Sequence, residues 1–578
     1  MSEIQVSPRA VERAAPVRPA PLRDRPARSG GDAEWRFVLG DPDVAADVVA
    51  TLREQQPFGV LRQGRLEARV KVSAEPGPGL TLIVGNTALF EARRSAALHV
   101  ELHDVLFVLE AELAPAKGRF MLAEPMRISS INRRGAARVQ LERGAASLRF
   151  SEASSQEPML VDAEVHDLAA DGVAITGTGD RALPTTGFAA LLQVGNSKIP
   201  CFARVRHERP SAGMVRYGVN LETSRREELV GCYLLARFPE LVERGLVEER
   251  TLATLLESSG YLGLREGTRP PRSWFAPAGS RGVSRDVCYR APDGAITGHF
   301  SITRAYSKAW LGHQMATVKG HPATVECRRT LYLHVASFAT LMDGEDTTVL
   351  GYFDREKPWH KIFFYDFVKW IGNPSLAVIA ELDRFERETP GPVSETPARL
   401  PRGYEVGDAT PEELVTATAL IRAQLPELVA EALDIRPDRL ASDHLHDAYR
   451  GVPLDRTRRV QVMRQNGKLA GVALCEMGSR ELSLFNLFNT AFFFFRRGAE
   501  APPTDAQLAL LAHARRLYAS RGEHNPLIVA PSATFDAAAE PGTVLAETMG
   551  LIAKSGRSLR QYENFIRYQF GKYTSRAS

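Results

Sequence analysis

The chain has 578 residues, which is too many for a single hydrophobic core and predicts about three or four domains. Hydrophobic residues make up 44% of the chain and charged residues 25%, as is typical of globular proteins. The formal net charge is only +4, and the Pro- and Arg-rich first 30 residues carry most of it. This balance excludes a broad nucleic-acid-binding face.

The five cysteines are spread along the chain without a Cys-x-x-Cys pair, so neither a disulfide framework nor a cysteine zinc site is predicted. No uninterrupted apolar run reaches about 18 residues, and the N-terminus lacks the apolar core of a signal peptide. We therefore expect a cytoplasmic protein with no transmembrane segment.

The first predicted elements are a tail and a small domain. Residues 1–32 are rich in Pro, Arg and Ala and bury too little apolar surface to offset ordering, so a disordered tail is predicted. Residues 33–125 contain strand-like runs at Leu66–Val72, Leu80–Val84 and Val105–Leu109, separated by turn residues. This pattern predicts an N-terminal β domain.

Residues 126–245 continue with short strands such as Val161–Val165 and Ala189–Val194, most of which alternate between apolar and polar residues. Alternation of this kind predicts a barrel with one buried and one wet face. Ser224 and Glu227 have the spacing of a capping box, which predicts a helix that closes the barrel.

The C-terminal half is predicted to be α/β and to contain a divergent repeat. Its segments, 260–388 and 402–575, are joined by the Pro-rich linker 389–401. Asp293-Gly294 in the first segment and Asn466-Gly467 in the second each separate two strand-like runs, and both pairs suit a tight hairpin. The predicted fold is thus multidomain, with an N-terminal β domain and a β barrel followed by an α/β half.

Two further stretches of the C-terminal half are ambiguous. The apolar run Leu484–Phe495 suits an acyl-chain pocket, but a buried central strand is favoured because such a run would promote edge pairing if exposed. Asp443–Asp447 contains two histidines and is predicted as a solvated helix end. Five more histidines fit no short ligand motif, so no metal site is predicted; they are His299, His313, His321, His334 and His360.

One constellation indicates a bound nucleotide. Arg134 and Arg138 form an Arg-x-x-x-Arg pair, and Asp167 and Gly172 follow after a strand-rich interval. Arginine forks match phosphate oxygens and the O6/N7 edge of guanine, while a carboxylate accepts from the other guanine edge. The alternative is an Arg-rich linker followed by an ordinary β turn.

These residues resemble the motifs of the PilZ family of cyclic di-GMP receptors. That family has Arg-x-x-x-Arg and then Asp/Asn-x-Ser-x-x-Gly, followed by late strands that Tyr217–Leu221 resembles. The resemblance implies a PilZ-type barrel that binds cyclic di-GMP. It assigns phosphate and guanine to Arg134 and Arg138, a guanine edge to Asp167, and the turn to Gly172.

The resemblance implies three details besides. Arg133, just before the motif, is a helper for the ligand. Ala169 stands where the family has Ser, and the missing hydroxyl predicts weakened rather than lost binding, by up to about tenfold. In the flagellar-brake branch of the family a β domain precedes the Arg motif, which matches residues 33–125 by position and strand content.

The hairpins of the C-terminal half resemble those of GCN5-related N-acetyltransferases. That family holds the coenzyme A pyrophosphate at a helix N-terminus through an Arg/Gln-x-x-Gly-x-Gly/Ala turn, and neither segment contains an intact copy. Whether this half is an enzyme therefore stays open, and so does a different mixed α/β fold.

The sequence predicts a bacterial signalling effector in which a cyclic di-GMP-binding PilZ barrel regulates the C-terminal half. The sequence does not identify its protein partner, and the family resemblance implies motility or envelope machinery. Two alternatives remain. One is an acyl-CoA-dependent acyltransferase regulated by the barrel, and the other is a degenerate scaffold that acts through protein contacts alone.

Overall fold

A computed structural model describes residues 35–77, 79–85, 90–116, 119–132, 138–152, 159–178, 183, 187–211, 214–260, 282–387, 400–482, 487–523 and 525–577. The predicted tail (1–32) and most of the predicted linker (389–401) lie outside these residues. Arg133 and Arg134 lie outside them as well.

The first part of the chain is a β barrel. Its elements are β1 (Trp35–Val38), α1 (Pro42–Gln55), β2 (Phe58–Gln63), β3 (Leu66–Val72), β4 (Leu80–Val84), β5 (Ser95–Leu102), β6 (Val105–Ala116), β7 (Arg119–Leu122) and β8 (Arg127–Asn132). The strands follow the order β1-β8-β6-β5-β2-β3-β4-β7, and β7 also pairs with β6. This second pairing closes a six-stranded antiparallel barrel of β2 to β7, as the predicted β domain requires.

The second part is another closed barrel. Its strands are β9 (Val139–Gln140), β10 (Ala146–Glu152), β11 (Met159–Ala169), β12 (Gly172–Thr178), β13 (Phe188–Val194), β14 (Ser197–Ser211) and β15 (Met214–Glu222). Their order is β10-β13-β14-β15-β12-β11-β9, and β10 also pairs with β11. Six antiparallel strands therefore close the barrel, and β9 extends it beside β11.

A helix follows this barrel as predicted, but its N-terminus is built differently. Helix α2 (Arg226–Arg237) buries Leu229 and Tyr233 in the core. The predicted capping box is wrong, because the N-cap residue is Arg225 and no side chain of the described residues caps the helix. Instead, the Arg225 backbone N–H donates to the Thr223 hydroxyl at 3.0 Å. The chain then forms β16 (Leu241–Glu243), a 3-10 turn (Arg244–Leu246) and α3 (Glu249–Ser258).

The C-terminal half is one twelve-stranded sheet flanked by helices. Its further strands are β17 (Ser284–Arg290), β18 (Ile296–Tyr306), β19 (Ala309–Thr317), β20 (Thr348–Asp354), β21 (Ala377–Arg387), β22 (Tyr404–Asp408), β23 (Arg456–Gln465), β24 (Lys468–Gly478), β25 (Thr490–Phe495), β26 (Leu527–Pro531) and β27 (Thr543–Ser555). The helices are α4 (Thr324–Asp343), α5 (Asp366–Ile371), α6 (Pro411–Arg422), α7 (Glu427–Ala432), α8 (Thr504–Ala519) and α9 (Gly556–Ala577). Helical turns Pro358–His360 and Lys361–Tyr365 precede α5.

The two predicted hairpins are present in this sheet. One joins β17 to β18 and has Gly294 at φ 89°, and the other joins β23 to β24 with Asn466 at 50° and Gly467 at 76°. Positive φ is the conformation that favours Gly and Asn. Each half of the sheet also contains one parallel pair, β19 with β20 and β25 with β26.

The two halves of the sheet exchange strands. The strand order is β16-β17-β18-β19-β20-β27-β21-β26-β25-β24-β23-β22. Strand β27, from the second segment, therefore pairs with β20 of the first, while β21 of the first segment pairs with β26 of the second. The segment limits 260–388 and 402–575 stay predictions. The strands of the two segments nevertheless form one continuously hydrogen-bonded sheet.

A buried ion cluster reinforces the contact between the halves. Glu476 of β24 accepts hydrogen bonds from Arg456 at 2.7 Å and from Arg458 at 2.5 Å. The Tyr306 hydroxyl of β18 donates to the same carboxylate at 2.9 Å. Burial opposes the charge of Glu476, yet the two guanidiniums hold its pKa below the ordinary value. The carboxylate is thus fully paired where the halves meet.

The most apolar run becomes a central strand, as predicted. All six residues of β25 are buried, and the strand lies between β24 and β26. Residues 483–486 at the start of the run lie outside the described part of the chain. Among the described residues, no helix is long and apolar enough to cross a membrane.

Helix α9 joins the large sheet to the first barrel. The Tyr568 hydroxyl donates to Asp47 of α1 at 2.8 Å, and Lys572 Nζ donates to the same carboxylate at 2.6 Å. The ring of Phe107 in β6 meets Trp370 of α5 edge-on, with centroids 6.0 Å apart. These contacts make the first barrel part of a core shared with the C-terminal half.

The exchanged strand generates the first prediction. A Cβ at Gly550 of β27 would overlap the ring of Phe353 on β20, whereas a Cβ at Gly351 of β20 would lie 3.5 Å from Ile552, an ordinary contact. We expect Gly550→Ala to lower the free energy of unfolding by about 1–3 kcal/mol because the ring must shift. Gly351→Ala is the matched control and should change it by less than about 1 kcal/mol. Urea denaturation measures both, and equal effects would contradict this packing.

Candidate functional site

The predicted nucleotide residues that the structure describes meet on the second barrel. Arg138, at the end of the segment that joins the barrels, donates from Nη1 to Asp167 Oδ1 at 3.0 Å. The Asp167 side chain is only 5% exposed, while that of Arg138 is 40% exposed. A buried carboxylate is therefore paired with a guanidinium that solvent reaches.

A β-bulge decides which way Asp167 points. The register of β11 against β12 shifts between Val165 and Asp167. Val165 and Leu168 both belong to the barrel core, whereas Asp167 and Ala169 are buried outside it. The extra residue thus reverses the alternation and turns Asp167 and Ala169 to the outer face, as bulges commonly do.

Gly172 has a different role from the predicted one. Ala169 pairs with Gly172 across the hairpin, so Gly172 is the first residue of β12 and the turn itself is Ala170-Asp171. A Cβ at Gly172 would overlap the carbonyl oxygen of Val219. Glycine is needed here for the close approach of β15, since its φ is not positive.

Arg216 completes the site and was missed by the sequence reasoning. Its Nη2 donates to Asp167 Oδ2 at 2.7 Å, opposite Arg138, and its side chain is 45% exposed. Alternation along β15 could have indicated its position: Tyr217 and Val219 face the core, so Arg216 faces outward. Arg216 belongs to no motif, and only the pairing of β15 with β12 brings it near Asp167.

Small and cationic residues lie beside the clamp, as we call the group of Arg138, Asp167 and Arg216. Ala174 of β12 lies between Asp167 of β11 and Gly218 of β15 in one row of paired residues. The imidazole of His207 covers Gly218, where a Cβ would overlap the ring. In the next row Arg216 pairs with Arg209. Small residues thus form a floor beside cationic and planar side chains.

The charges of the clamp do not cancel. Two guanidiniums face a single carboxylate, so the group Arg138, Asp167 and Arg216 carries a net positive charge. The exposed donors of both arginines remain available to an anion, and phosphate oxygens suit guanidinium forks. This arrangement can recognise a phosphorylated planar ligand without any chemical step.

The histidines of the C-terminal half are placed apart from this site. Among the described residues no group of three or more His, Cys, Asp or Glu side chains is arranged to hold a metal ion. His299 Nδ1 lies 3.1 Å from the Gln314 carbonyl oxygen, and His313 Nε2 lies 2.8 Å from the Thr303 hydroxyl. His334 is 1% exposed, and neither of its ring nitrogens has a hydrogen-bond partner among the residues that the structure describes.

The predicted helix at Asp443–Asp447 is wrong. Ser442 instead forms an isolated antiparallel bridge with Arg458, and only Asp447–Tyr449 makes a 3-10 turn. His446 caps this turn by accepting from the Ala448 N–H at 2.9 Å. Pairing with β23 overrides the local preference of the nearby alanines and tyrosine.

Comparisons with known proteins concern the fold. No family model matches the chain, and no curated protein matches it. The structure of YcgR from Escherichia coli in complex with c-di-GMP is 12% identical and covers 35% of this chain and 93% of its own, with a TM-score of 0.22. The MotI/DgrA inhibitor of motility from Bacillus subtilis is 10% identical over 32% of this chain and 98% of its own, with a TM-score of 0.20.

A GCN5-related N-acetyltransferase from Sphaerobacter thermophilus is 14% identical over 55% of this chain and 96% of its own, with a TM-score of 0.32. Acyl transfer and coenzyme A binding stay predictions.

The buried histidines generate the second prediction. Burial lowers the pKa of His299 to about 4 and that of His313 to about 3, and burial with Arg285 and Arg237 nearby lowers the pKa of His334 well below 6.5. Below pH 6.5 the unfolded chain binds protons that the folded chain does not. Stability should therefore be full above pH 6.5 and fall at lower pH, by up to about 1.4 kcal/mol per unit for each histidine.

The variant that checks this is His334→Phe, since the ring of His334 already stacks with Phe338 at 6.3 Å. It should reduce the slope of unfolding free energy against pH between about pH 6 and 5 by the contribution of one histidine. A slope equal to that of the wild type would contradict the neutral, buried state of His334.

Proposed function

We propose that the second barrel binds cyclic di-GMP and that the chain is a bacterial signalling effector controlled by this nucleotide. The observation that carries the proposal is the clamp of Arg138 and Arg216 on the buried carboxylate of Asp167. It lies on the outer face of the barrel beside Ala169 and Gly172, the positions at which the family motif continues.

Binding would exchange one set of ion pairs for another. The nucleotide phosphates compete for the half-exposed guanidiniums, and the carboxylate released from them accepts from the N–H groups of a guanine edge. The desolvated carboxylate loses no partner in this exchange, so its burial need not oppose binding. Arg133 and Arg134 add donors from the segment between the barrels.

The position of that segment supports a regulatory role. The first barrel ends its last strand at Asn132, and β9 of the second begins at Val139. A ligand held by Arg133, Arg134 and Arg138 would therefore contact the chain segment that connects the two barrels. If the ligand binds more tightly to one relative arrangement of the two barrels, binding shifts the population toward that arrangement.

The output would be a changed surface offered to a protein partner in the cytoplasm. The first barrel shares its core with the C-terminal half through α9, so movement at the joint is coupled to the large sheet. By analogy with the family, motility or envelope machinery is the kind of partner expected.

The third prediction tests the clamp. Arg138→Ala and Arg216→Ala should each weaken binding of cyclic di-GMP about tenfold or more, because each removes charge-assisted hydrogen bonds worth about 1.5–3 kcal/mol. Isothermal titration calorimetry measures the affinities. Arg149→Ala is the matched control, since Arg149 pairs with Asp162 at 3.0 Å on the same barrel but away from the clamp.

The control variant should bind like the wild type. If the wild type does not bind cyclic di-GMP, the proposed function is wrong and a scaffold that acts through protein contacts is favoured. Binding that survives both Arg138→Ala and Arg216→Ala would place the nucleotide elsewhere.

The fourth prediction concerns Ala169, which is 5% exposed on the outer face two residues after Asp167. Ala169→Ser restores a hydroxyl next to the ligand and should tighten binding by up to about tenfold, the free energy of one neutral hydrogen bond. The same titration measures it. A larger change in either direction would show that the ligand contacts this strand differently.

A further inference from the structure

The cationic surface of the second barrel continues beyond the clamp onto β14. Arg209 of β14 pairs directly with Arg216 of β15 in the antiparallel sheet. The next residue of β15, Tyr217, belongs to the barrel core, so Arg216 and its partner Arg209 both lie on the outer face. Residues paired in this way have their Cβ atoms about 5 Å apart. Two guanidinium side chains therefore leave the sheet next to each other.

No acidic residue compensates this second arginine in the described part of the chain. Both oxygens of the Asp167 carboxylate are already used within the clamp. Glu208, the neighbour of Arg209, pairs with the core residue Tyr217 and therefore lies on the opposite face of the sheet. Arg209 has no ion pair or hydrogen bond with any described residue, and its side chain is exposed. Its positive charge thus adds to the excess that the clamp already has.

The two arginines repel each other in the free protein. Like charges directly opposite each other in an antiparallel pair are destabilising, and hydration of the two groups does not change the sign of this effect. Arg216 cannot move far from Arg209, since its Nη2 is held by Asp167 at 2.7 Å. An anion between the two would replace the repulsion with two charge-assisted contacts. A pairing that costs stability in the free protein is expected where the residues serve a ligand.

The charges of this surface also match a ligand with two phosphates. Arg138, Arg209 and Arg216 are cations and Asp167 is an anion, so the four side chains have a net charge of +2. Cyclic di-GMP has two phosphodiester groups, each with one negative charge. The clamp without Arg209 has a net charge of only +1 and neutralises one of them.

We propose that Arg209 and Arg216 form a second phosphate subsite, an assignment that rests on the function proposed above. One phosphodiester of cyclic di-GMP would bind on the side of Arg138, and the other would bind between Arg209 and Arg216. Arg209 belongs to neither motif of the sequence and reaches the site only through the pairing of β14 with β15. It would make the site selective for a nucleotide with two phosphodiesters over one with a single phosphate.

The test is Arg209→Gln in the full chain, which removes the charge and keeps a polar side chain. Calorimetry should show at least about tenfold weaker binding of cyclic di-GMP, because charge-assisted hydrogen bonds to one phosphate are lost. The difference from the wild type should shrink at about 0.5 M NaCl, since salt screens the lost attraction. Without ligand, Arg209→Gln should unfold at a higher temperature than the wild type, because its repulsion of Arg216 is gone.

Arg149→Gln is the matched control, since Arg149 pairs with Asp162 at 3.0 Å on the same barrel. This variant should bind cyclic di-GMP like the wild type and should not unfold at a higher temperature. Equal affinity of Arg209→Gln and the wild type overturns the second subsite and leaves the clamp in place. An unchanged or lower unfolding temperature of Arg209→Gln also overturns it, because the two arginines then do not repel each other. A wild type that binds no cyclic di-GMP contradicts the proposed function itself, and the subsite with it.

Discussion

The pairing of β27 with β20 is the constraint on which the rest of the structure depends. This strand comes from the end of the chain and returns to the first half of the large sheet, with β21 exchanged in the opposite direction. Helix α9 follows directly, so the exchange places it against α4 and the first barrel. Without this pairing, Tyr568 and Lys572 would not reach Asp47, and the first barrel would lose its hydrogen bonds to α9.

The candidate nucleotide site lies at the connection between the two barrels. The first barrel is fixed to the C-terminal half through α9, and the second barrel is joined to the first by a short segment that carries the arginine motif. Two arginines on one buried carboxylate leave an excess of positive charge there. A ligand with several phosphates would relieve that excess while binding both sides of the joint.

The sequence by itself determined the local features. Alternation predicted the barrel strands, Asp293-Gly294 and Asn466-Gly467 predicted the hairpins, and the arginine motif predicted Arg138 and Asp167 as candidate site residues, because each depends on neighbouring residues. Tertiary structure decided the strand exchange, the bulge that turns Asp167 outward, the contribution of Arg216, the close approach that requires Gly172, and the non-helical path at Asp443–Asp447. These features depend on pairing between strands distant in sequence, and such pairing has no local signature in the residues that form it.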